Sequence, residues 1–293
     1  MNFDPFLTYL SSEKRSSIHT VDAYRRDLEQ FAAFCLRSFE IHSPEEVTTA
    51  VVRTWMAELM EEGYKTTSVH RKLSSVHTFF RYGLRQGFLK TNPVKGISKP
   101  KLPQRLPTFI EERGMQRLYP TLEATTTTWE GERNQMIMRL FYETGMRVSE
   151  LIDIQDRDVD FSIGQVKITG KRNKTRYVPV SPSLLKDLQH YQHSRDQAVQ
   201  GVTLFVTRSG KKMYRKVVYV LVKSYLSTIT TLPKRSPHVL RHTFATHMLN
   251  NGADLNVIKE ILGHSSLAAT QVYTHLSVEK LKGIHEKMHP RNR

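Results

Sequence analysis

The sequence predicts a mainly α-helical protein of two domains, the second of which carries a small antiparallel β-sheet. Three observations support this prediction. Apolar residues recur at spacings of three and four through most of the chain, as they do on one face of an amphipathic helix. Two stretches between residues 165 and 180 alternate polar and apolar residues instead, which is typical of strands. A proline-rich basic segment, residues 99–108, separates the two helical parts.

The first domain, residues 1–98, is expected to be a compact four-helix unit. Ser16 and Ser17 precede the second helix as candidate N-caps. The four helices are predicted over Phe3–Ser12, His19–Leu36, Val51–Glu62 and Thr67–Gln86. Because prolines oppose helix formation, the segment that follows, residues 99–108, is predicted to be a semi-extended and positively charged linker.

The second domain, residues 109–293, is expected to be α-rich apart from one β-hairpin. Its strands are predicted over Gln165–Thr169 and Arg176–Val180, with a polar loop between them that begins at Gly170. Further on, a helix is predicted over Ser183–Ser194. A second helix begins at Ser236–Pro237, which supply its N-cap and first-turn proline, and it ends at Asn251–Asp254. This segment also opens a third helix, which stops at Leu262–His264.

The net charge indicates a polyanionic partner. Lysine and arginine outnumber acidic residues 44 to 28, which gives a net charge of +16 and a pI of about 9.9. The excess is uneven, since residues 164–243 hold 16 basic residues and only two acidic ones, Asp187 and Asp196. Nucleic acid is the partner that such a charge favours. A basic surface that serves only solubility is the alternative.

The composition excludes several other classes of protein. With 39% hydrophobic and 25% charged residues, the chain fits neither a disordered nor a fibrous protein. No run approaches the roughly 18 apolar residues of a membrane helix, and the amino terminus does not resemble a signal peptide. We therefore expect a cytoplasmic protein that makes no membrane contact. The single cysteine, Cys35, excludes an internal disulfide and cysteine-based zinc sites.

Five short motifs, taken in order, resemble those of the tyrosine site-specific recombinases. They are Thr144–Leu151, Gly170–Lys171, His238–His242, Leu262–His264 and Tyr273–His275. Each motif alone is a weak signal, but their order and spacing together make a strong one. The resemblance spans nearly the whole chain and is closest to the bacterial Xer recombinases, because Asn250–Leu255 and His289–Pro290 are also Xer-like.

The resemblance implies both a fold and a function. Residues 1–98 would be a SAM-like core-binding domain and residues 109–293 the catalytic domain, which together form a C-shaped clamp on DNA. The family cuts and rejoins DNA through a 3′-phosphotyrosine intermediate and a Holliday junction. A Xer-type member would resolve chromosome dimers at a dif-like site during cell division. An integrase or resolvase of a mobile genetic element uses identical chemistry and is the alternative.

The resemblance also implies partners. These are double-stranded DNA, a second recombinase in a homo- or hetero-tetramer, and an FtsK-like septal DNA translocase. The terminal helix predicted over Ser277–Met288 would dock into a neighbouring protomer, although packing on its own domain is an equal alternative. A non-enzymatic reading, an architectural DNA-binding protein, explains the charge but not the order of the motifs.

Three residues suit the stabilisation of a cleaved phosphodiester. The pentacovalent phosphorus accumulates negative charge, and a guanidinium offers it a fixed fork of donors that stays protonated. Arg147 and Arg241 are the candidates. The alternative for Arg147 is an ion pair with Glu150 on the helix surface, whereas Arg241 is expected on the buried side of its helix. His238 lies three residues before Arg241 and so shares its helical face.

The remaining catalytic residues are implied by the resemblance. Lys171 would be the general acid that protonates the departing 5′ oxygen, and Tyr273 would be the nucleophile; the alternative for Lys171 is a phosphate contact without chemistry. His264 follows the helix stop at Gly263 and can point into a cleft, although a histidine favoured by the dipole at the helix end is the alternative. A phenol titrates near ~10, so nearby histidine and arginine charges must help it to ionise. Local pattern alone would make Tyr273 a packing residue. The residues around the hairpin loop that we expect to bind phosphates of the DNA backbone are Arg172, Lys174 and Arg176.

Zinc catalysis is the chemical alternative. His238 and His242 are spaced i,i+4 and could bind zinc together with His247 or His264. No acidic residue stands between them as in a His-Glu-x-x-His metalloprotease, and the basic region has no carboxylate cluster for a two-metal nuclease. We therefore predict no metal and no other cofactor. The sequence also contains no Gly-x-x-x-x-Gly-Lys loop for ATP.

Overall fold

Helices dominate both parts of the chain. The computed structural model describes residues 1–102, 108–124, 126–170, 173–199 and 203–263. The chain divides into two units, Met1–Arg105 and Leu106–Arg293. Within the described residues, eleven α-helices and one small antiparallel sheet confirm the predicted mainly α fold. In that part of the chain, every helix is too short or too polar to span a lipid bilayer.

The first unit is built from four helices, as the apolar spacing predicted. Ser17 is the N-cap of the second helix, and its side chain accepts a hydrogen bond from the Thr20 amide at 3.3 Å. The apolar faces enclose a core of aliphatic and aromatic side chains in which Trp55 is 1% exposed. The helices are α1 (Asp4–Ser12), α2 (Ile18–Phe39), α3 (Thr49–Glu61) and α4 (Thr66–Gln86).

The core of the first unit also contains a buried charge. Asp27 of α2 is 1% exposed and accepts hydrogen bonds from Lys72 at 3.2 Å and from Ser75 at 2.9 Å, both on α4. Arg71 of α4 forms a further ion pair with the same carboxylate. Because a buried carboxylate is costly without partners, these bonds fix how α2 and α4 face each other.

The second unit holds the remaining helices around a larger apolar core. Apolar side chains from the helices and the sheet meet there, among them the buried Phe141, Leu151 and Leu240. Its helices are α5 (Glu112–Glu123), α6 (Trp129–Thr144), α7 (Val148–Asp153), α8 (Pro182–Ala198), α9 (Arg215–Ile229), α10 (Pro237–Asn250) and α11 (Leu255–Leu262).

The sheet of the second unit has three antiparallel strands. They are β1 (Val159–Asp160), β2 (Gln165–Thr169) and β3 (Thr175–Pro179), paired in that order. The predicted hairpin is therefore present, with β3 beginning and ending one residue before the predicted strand. The additional strand β1 is only two residues long, which is too short to produce an alternating pattern in the sequence.

The register of the sheet decides which side chains point inward. Ile168 of β2 lies opposite Arg176 of β3, and Ile168 is fully buried. Directly opposed residues share one face of an antiparallel pair, so Arg176 points toward the protein interior. Val178, two residues further along β3, is also buried, whereas Tyr177 between them is 57% exposed.

Helices α10 and α11 begin and end where the local signals predicted, with one exception in detail. The Asp254 side chain caps α11 by accepting a hydrogen bond from the Asn256 amide at 2.7 Å, and Gly263 ends it with φ +64°. Ser236 does occupy the N-cap position of α10, as predicted. Its side chain, however, makes no capping bond, and its hydroxyl is buried without a partner among the described residues.

Candidate active site

A tight turn after α6 delivers Arg147 to the start of α7. Gly145 adopts a left-handed conformation, φ +59°, and a Cβ there would lie 2.6 Å from side-chain atoms of both Leu262 and Phe244. Only glycine fits such a position without strain. Arg147 then occupies the N-cap of α7, and its backbone N–H donates to Oε2 of Glu150 at 2.8 Å.

Glu150 is a buried carboxylate shared by two arginines. It is 4% exposed, and its Oε1 accepts hydrogen bonds from Arg147 Nη1 at 2.7 Å and from Arg176 Nη1 at 3.1 Å. Oε2 accepts a further bond from Arg176 Nη2 at 2.8 Å. Burial alone would raise the pKa of Glu150, but the hydrogen bonds and charge of Arg176, together with the bonds from Arg147, bring it below its ordinary value.

The ion pair between Arg147 and Glu150 therefore exists, but it is not the helix-surface pair considered from the sequence. The Glu150 side chain is 3% exposed and that of Arg147 is 31% exposed, so the carboxylate lies beneath the guanidinium. A pair of this kind holds Arg147 in one orientation, while part of its side chain faces solvent.

Arg241 is buried, as the apolar character of its helix predicted. It lies on α10, is 7% exposed, and donates from Nη1 to the Gly145 carbonyl at 2.6 Å. Its Nη2 donates to the Leu262 carbonyl at 2.7 Å. Arg241 thus joins the turn before Arg147 to the end of α11.

The carboxyl end of α11 is contacted by two further arginines, Arg176 and Arg147. Arg176 Nε donates to the carbonyl of Ile261, and Arg147 Nη2 lies 3.4 Å from the carbonyl of Gly263. The last carbonyls of a helix have no partner within it and carry partial negative charge, so they suit cationic donors. Three guanidiniums from different elements consequently meet at one helix end, and two of them, those of Arg147 and Arg176, share the Glu150 carboxylate.

His238 stands at the edge of this group. It is the second residue of α10 and is exposed at the surface. Partial desolvation lowers the pKa of His238 from its ordinary 6.5, and the positive charges of Lys234, Arg241 and Arg147 lower it further. The structure thus brings three predicted site residues, Arg147, Arg241 and His238, into one neighbourhood.

The other predicted residues differ in outcome. Lys174 is exposed beside the hairpin loop, whose first and last residues are joined by a hydrogen bond from the Gly170 amide to the Lys174 carbonyl at 2.8 Å. Arg176, also expected to contact DNA, has a side chain that is 13% exposed and donates to Glu150 and Ile261. The predicted residues that lie outside the described part of the chain are Lys171, Arg172, His264 and Tyr273.

Two of the histidines considered as zinc ligands, His242 and His247, lie on α10 with His238. Among the residues that the structure describes, no group of three or more His, Cys, Asp or Glu side chains lies close enough to hold an ion. Burial lowers the pKa of His242, and the charges of His238, Arg241 and Lys234 lower it further. His247 is buried and shares a hydrogen bond of 2.9 Å with the hydroxyl of Tyr142.

Sequence reasoning missed two features of this site. Glu150 was noticed only as a surface partner of Arg147, although its position three residues into α7 is a capping-box signal. The inward direction of Arg176 could have been predicted, because residues two apart in a strand share a face and Val178 is apolar. The partners of Arg176 could not have been predicted, since Glu150 and Ile261 lie 26 and 85 residues away in the chain.

Comparisons with known proteins agree with this architecture. Residues 108–280 match the phage integrase family, and residues 3–87 match the phage integrase N-terminal SAM-like domain. The chain is 35% identical over 314 residues to the tyrosine recombinase XerC of Chlorobaculum parvum, which covers 98% of this chain and 94% of the relative.

Solved structures share the fold at lower identity. The XerH site-specific recombinase bound to palindromic difH substrate has a TM-score of 0.79 at 20% identity, over 93% of this chain and 81% of that one. The Tn1549 transposon integrase in complex with transposon right end DNA has a TM-score of 0.78 at 17% identity, over 98% and 99%. From the family match and the XerC identity, the chain belongs to the phage integrase family, the tyrosine recombinases, enzymes that cut and rejoin DNA.

Proposed function

We propose that the chain is a site-specific recombinase of the Xer type, which acts on double-stranded DNA through a covalent link to Tyr273. The observation that carries this proposal is the convergence of Arg147, Arg241 and His238 in the second unit. The positive charges and fork-shaped donors of the two arginines suit a phosphate. Identity to XerC over nearly the whole chain supports the Xer type, and the DNA-bound neighbours support the substrate.

The proposed reaction exchanges one phosphate ester for another. The Tyr273 oxygen attacks phosphorus, the bond from phosphorus to the 5′ oxygen breaks, and Lys171 supplies the proton that this oxygen takes up. Arg147 and Arg241 donate to the nonbridging oxygens as negative charge develops there. A 3′-phosphotyrosine and a free 5′ hydroxyl result. Rejoining reverses these steps with a new 5′ hydroxyl, and the ester conserves the bond energy, so ATP is not needed.

His238 is assigned a proton-transfer role. Because its pKa lies below 6.5, the imidazole is neutral at pH 7 and one ring nitrogen can accept a proton. Its place beside the two arginines puts that acceptor near the phosphate they would bind. The attacking phenol must lose its proton, and a neutral histidine can take it, whereas a protonated one cannot.

The proposed nucleophile is tested with Tyr273→Phe. A random pool of duplex DNA is first selected for binding to the wild-type chain, and the recovered site is nicked so that cleavage cannot be reversed. We expect the wild type to form a detergent-resistant protein–DNA adduct in EDTA and without ATP. Tyr273→Phe should bind the site with a Kd within ~threefold of wild type and form no adduct. An adduct in the variant, or none in the wild type, refutes the assignment.

The biological role is the finer part of the proposal. Identity to XerC supports resolution of chromosome dimers at a dif-like site during cell division, by a tetramer formed alone or with a second recombinase and activated by an FtsK-like translocase. In this proposal the two units clamp the DNA, and the exposed Lys174, with Arg172, binds its backbone. Covalently trapped fragments of the source chromosome should contain one site near the replication terminus.

The alternative is an integrase of a mobile element. A transposon integrase is nearly as similar in fold as a Xer protein, with TM-scores of 0.78 and 0.79, so the fold does not favour either role. The trapping experiment separates them, because an integrase should recover the ends of an inserted element. Recovery of such ends would replace the chromosomal role while leaving the chemistry unchanged.

A further inference from the structure

We propose that Arg176 is a positioning residue for DNA cleavage, which holds Arg147 and the end of α11 in the geometry that the reaction needs. This inference rests on the proposed function. The contacts of Arg176 set it apart from the other basic residues around the hairpin. Its side chain is 13% exposed, in contrast to the exposed Lys174 two residues earlier.

The first contact of Arg176 fixes the carboxylate of Glu150. Each carboxylate oxygen accepts one bond from Arg147 and one from Arg176. Oε1 binds Nη1 of both arginines, at 2.7 and 3.1 Å, and Oε2 binds the Arg147 amide and Arg176 Nη2, both at 2.8 Å. A fork of two parallel donors prevents the carboxylate from rotating. Since the same two oxygens orient Arg147, its orientation depends on Arg176.

The second contact ties the strand to α11. Nε of Arg176 donates to the Ile261 carbonyl, while Arg241 and Arg147 approach the next two carbonyls, of Leu262 and Gly263. There is little spare room, because a Cβ on Gly263 would lie 3.1 Å from Arg176 Nη1. One side chain therefore reaches both the partner of Arg147 and the helix end that Arg241 binds.

The same pair also supports the start of the hairpin loop. A Cβ on Gly170 would lie 3.4 Å from Glu150 Oε1 and 3.9 Å from Arg176 Nη1, so the loop begins directly above the ion pair. The next residue in the sequence is Lys171, the proposed general acid. Displacing Arg176 should consequently disturb groups on both sides of the phosphate, although Arg176 itself would not touch it.

The test compares Arg176→Gln and Arg176→Lys with the matched control Arg139→Gln. Arg139 is a buried arginine of the same unit, with a side chain 9% exposed, and it pairs with Glu143 and Asp187. Each variant is assayed for its rate of adduct formation on the selected nicked site, its Kd for that site and its thermal stability. Rates are measured from pH 5.5 to 8.5.

We expect Arg176→Gln to lower the rate of adduct formation by ~100-fold while its Kd stays within ~threefold of wild type. Arg176→Lys should recover stability but little of the rate, because one ammonium cannot bind two carboxylate oxygens and a carbonyl at once. Arg139→Gln should lose comparable stability and keep its rate within ~threefold. In Arg176→Gln the loss of activity in acid should begin at higher pH, since Glu150 has lost its main charge partner.

Two results would overturn the proposal. One is a cleavage rate in Arg176→Gln that falls no further than in Arg139→Gln. The other is full recovery by Arg176→Lys, because charge alone would then suffice. Failure of the wild type to form an adduct would instead refute the proposed function. Hydrogen exchange still decides the geometry in that case: the Arg147 amide, bound to Glu150, should exchange faster in Arg176→Gln and not in Arg139→Gln.

Discussion

At the scale of single residues, Gly145 is the position of the candidate site where a substitution is most restricted. Its φ of +59° is unfavourable for any residue with a Cβ, and two buried side chains, Phe244 and Leu262, occupy the space that a Cβ would need. Its carbonyl also accepts a bond from Arg241. Backbone conformation, packing and the anchoring of an arginine therefore depend on the same residue.

We predict that Gly145→Ala destabilises the second unit by about 2 kcal/mol through backbone strain and overpacking. The matched control is Gly252→Ala, which has a similarly positive φ of +89° but no atom within 4 Å of its Cβ. The control should show only the conformational cost, about 1 kcal/mol. Urea unfolding measures both. Equal losses in the two variants would mean that the contacts with Phe244 and Leu262 yield easily.

Position along the chain explains which residue-level predictions succeeded. Ser17, Asp254 and Gly263 act within a few residues of themselves, so the sequence reveals the boundaries they set. The Ser236 side chain, in contrast, occupies a cap position without making the bond, which no sequence pattern distinguishes. The roles of Lys171, His264 and Tyr273 stay predictions that depend on the order of the motifs.

At the scale of elements, the helices were predictable and the contacts between them were not. The apolar spacing of α2 and α4 reflects burial of one face, which any helix in a bundle shares. It does not indicate that Asp27 and Lys72 lie together inside, because two charged residues 45 positions apart fit a solvent-exposed face equally well. The strand β1 was not predicted for a related reason: it is defined by its pairing with β2 and not by a pattern in its own two residues.

The buried pair between α2 and α4 should be important for the stability of the first unit. We predict that Asp27→Asn lowers the free energy of unfolding by about 3 kcal/mol, because it leaves the Lys72 ammonium buried without a countercharge. Lys72 is 8% exposed on its side chain. The value is at the lower end of the range for such pairs, since Gln30 still accepts a bond from Lys72 and Arg71 can turn to solvent.

Fluorescence of Trp55 measures this loss in a Trp129→Phe background. The sequence has two tryptophans, and Trp55 is the one buried in the first unit. The control is Asp4→Asn, which breaks an exposed ion pair with Arg25 whose side chains are 74% and 47% exposed. Exposed pairs contribute under about 1 kcal/mol. A loss in Asp27→Asn as small as in the control would show that Asp27 is not needed to compensate Lys72.

At the scale of the whole molecule, the candidate site is an assembly of distant parts of the second unit. The turn after α6, α7, the strand β3, α10 and the end of α11 all contribute groups, and the contacts span residues 145–263. The family motifs include Arg147, His238 and Arg241, which is why the sequence could indicate that these three residues belong together. Arg176, which the motifs do not include, was expected only as a DNA contact, because its partners Glu150 and Ile261 are distant in the chain.

The partly desolvated histidines of α10 should make the fold sensitive to acid. Burial lowers the pKa values of His238, His242 and His247, all on α10, and positive neighbours lower the first two further, while Glu112 partly offsets the shift at His247. Below pH 6.5, the ordinary pKa of histidine, these side chains bind more protons in the unfolded chain than in the folded one. Stability therefore falls as the pH drops through and below that value.

Glu150 acts in the same direction at lower pH. Its folded pKa lies below the ordinary value of 4.5, so the stability it contributes is present above that value and is lost as the pH falls through the folded pKa. We predict a constant melting temperature from pH 7 to 8 and a progressive decrease from pH 6.5 to 5. Differential scanning calorimetry at several pH values measures it.

The histidines can be separated from other acid effects by His247→Gln, with the exposed His19→Gln as control. Because a glutamine does not titrate, His247→Gln should reduce the slope of stability against pH between 6.5 and 5, even if it lowers stability at pH 8 by removing the bond with Tyr142. His19→Gln should leave the slope as it is. An unchanged slope in His247→Gln would mean that protonation of this histidine does not oppose folding, and the acid sensitivity would then have to come from other groups.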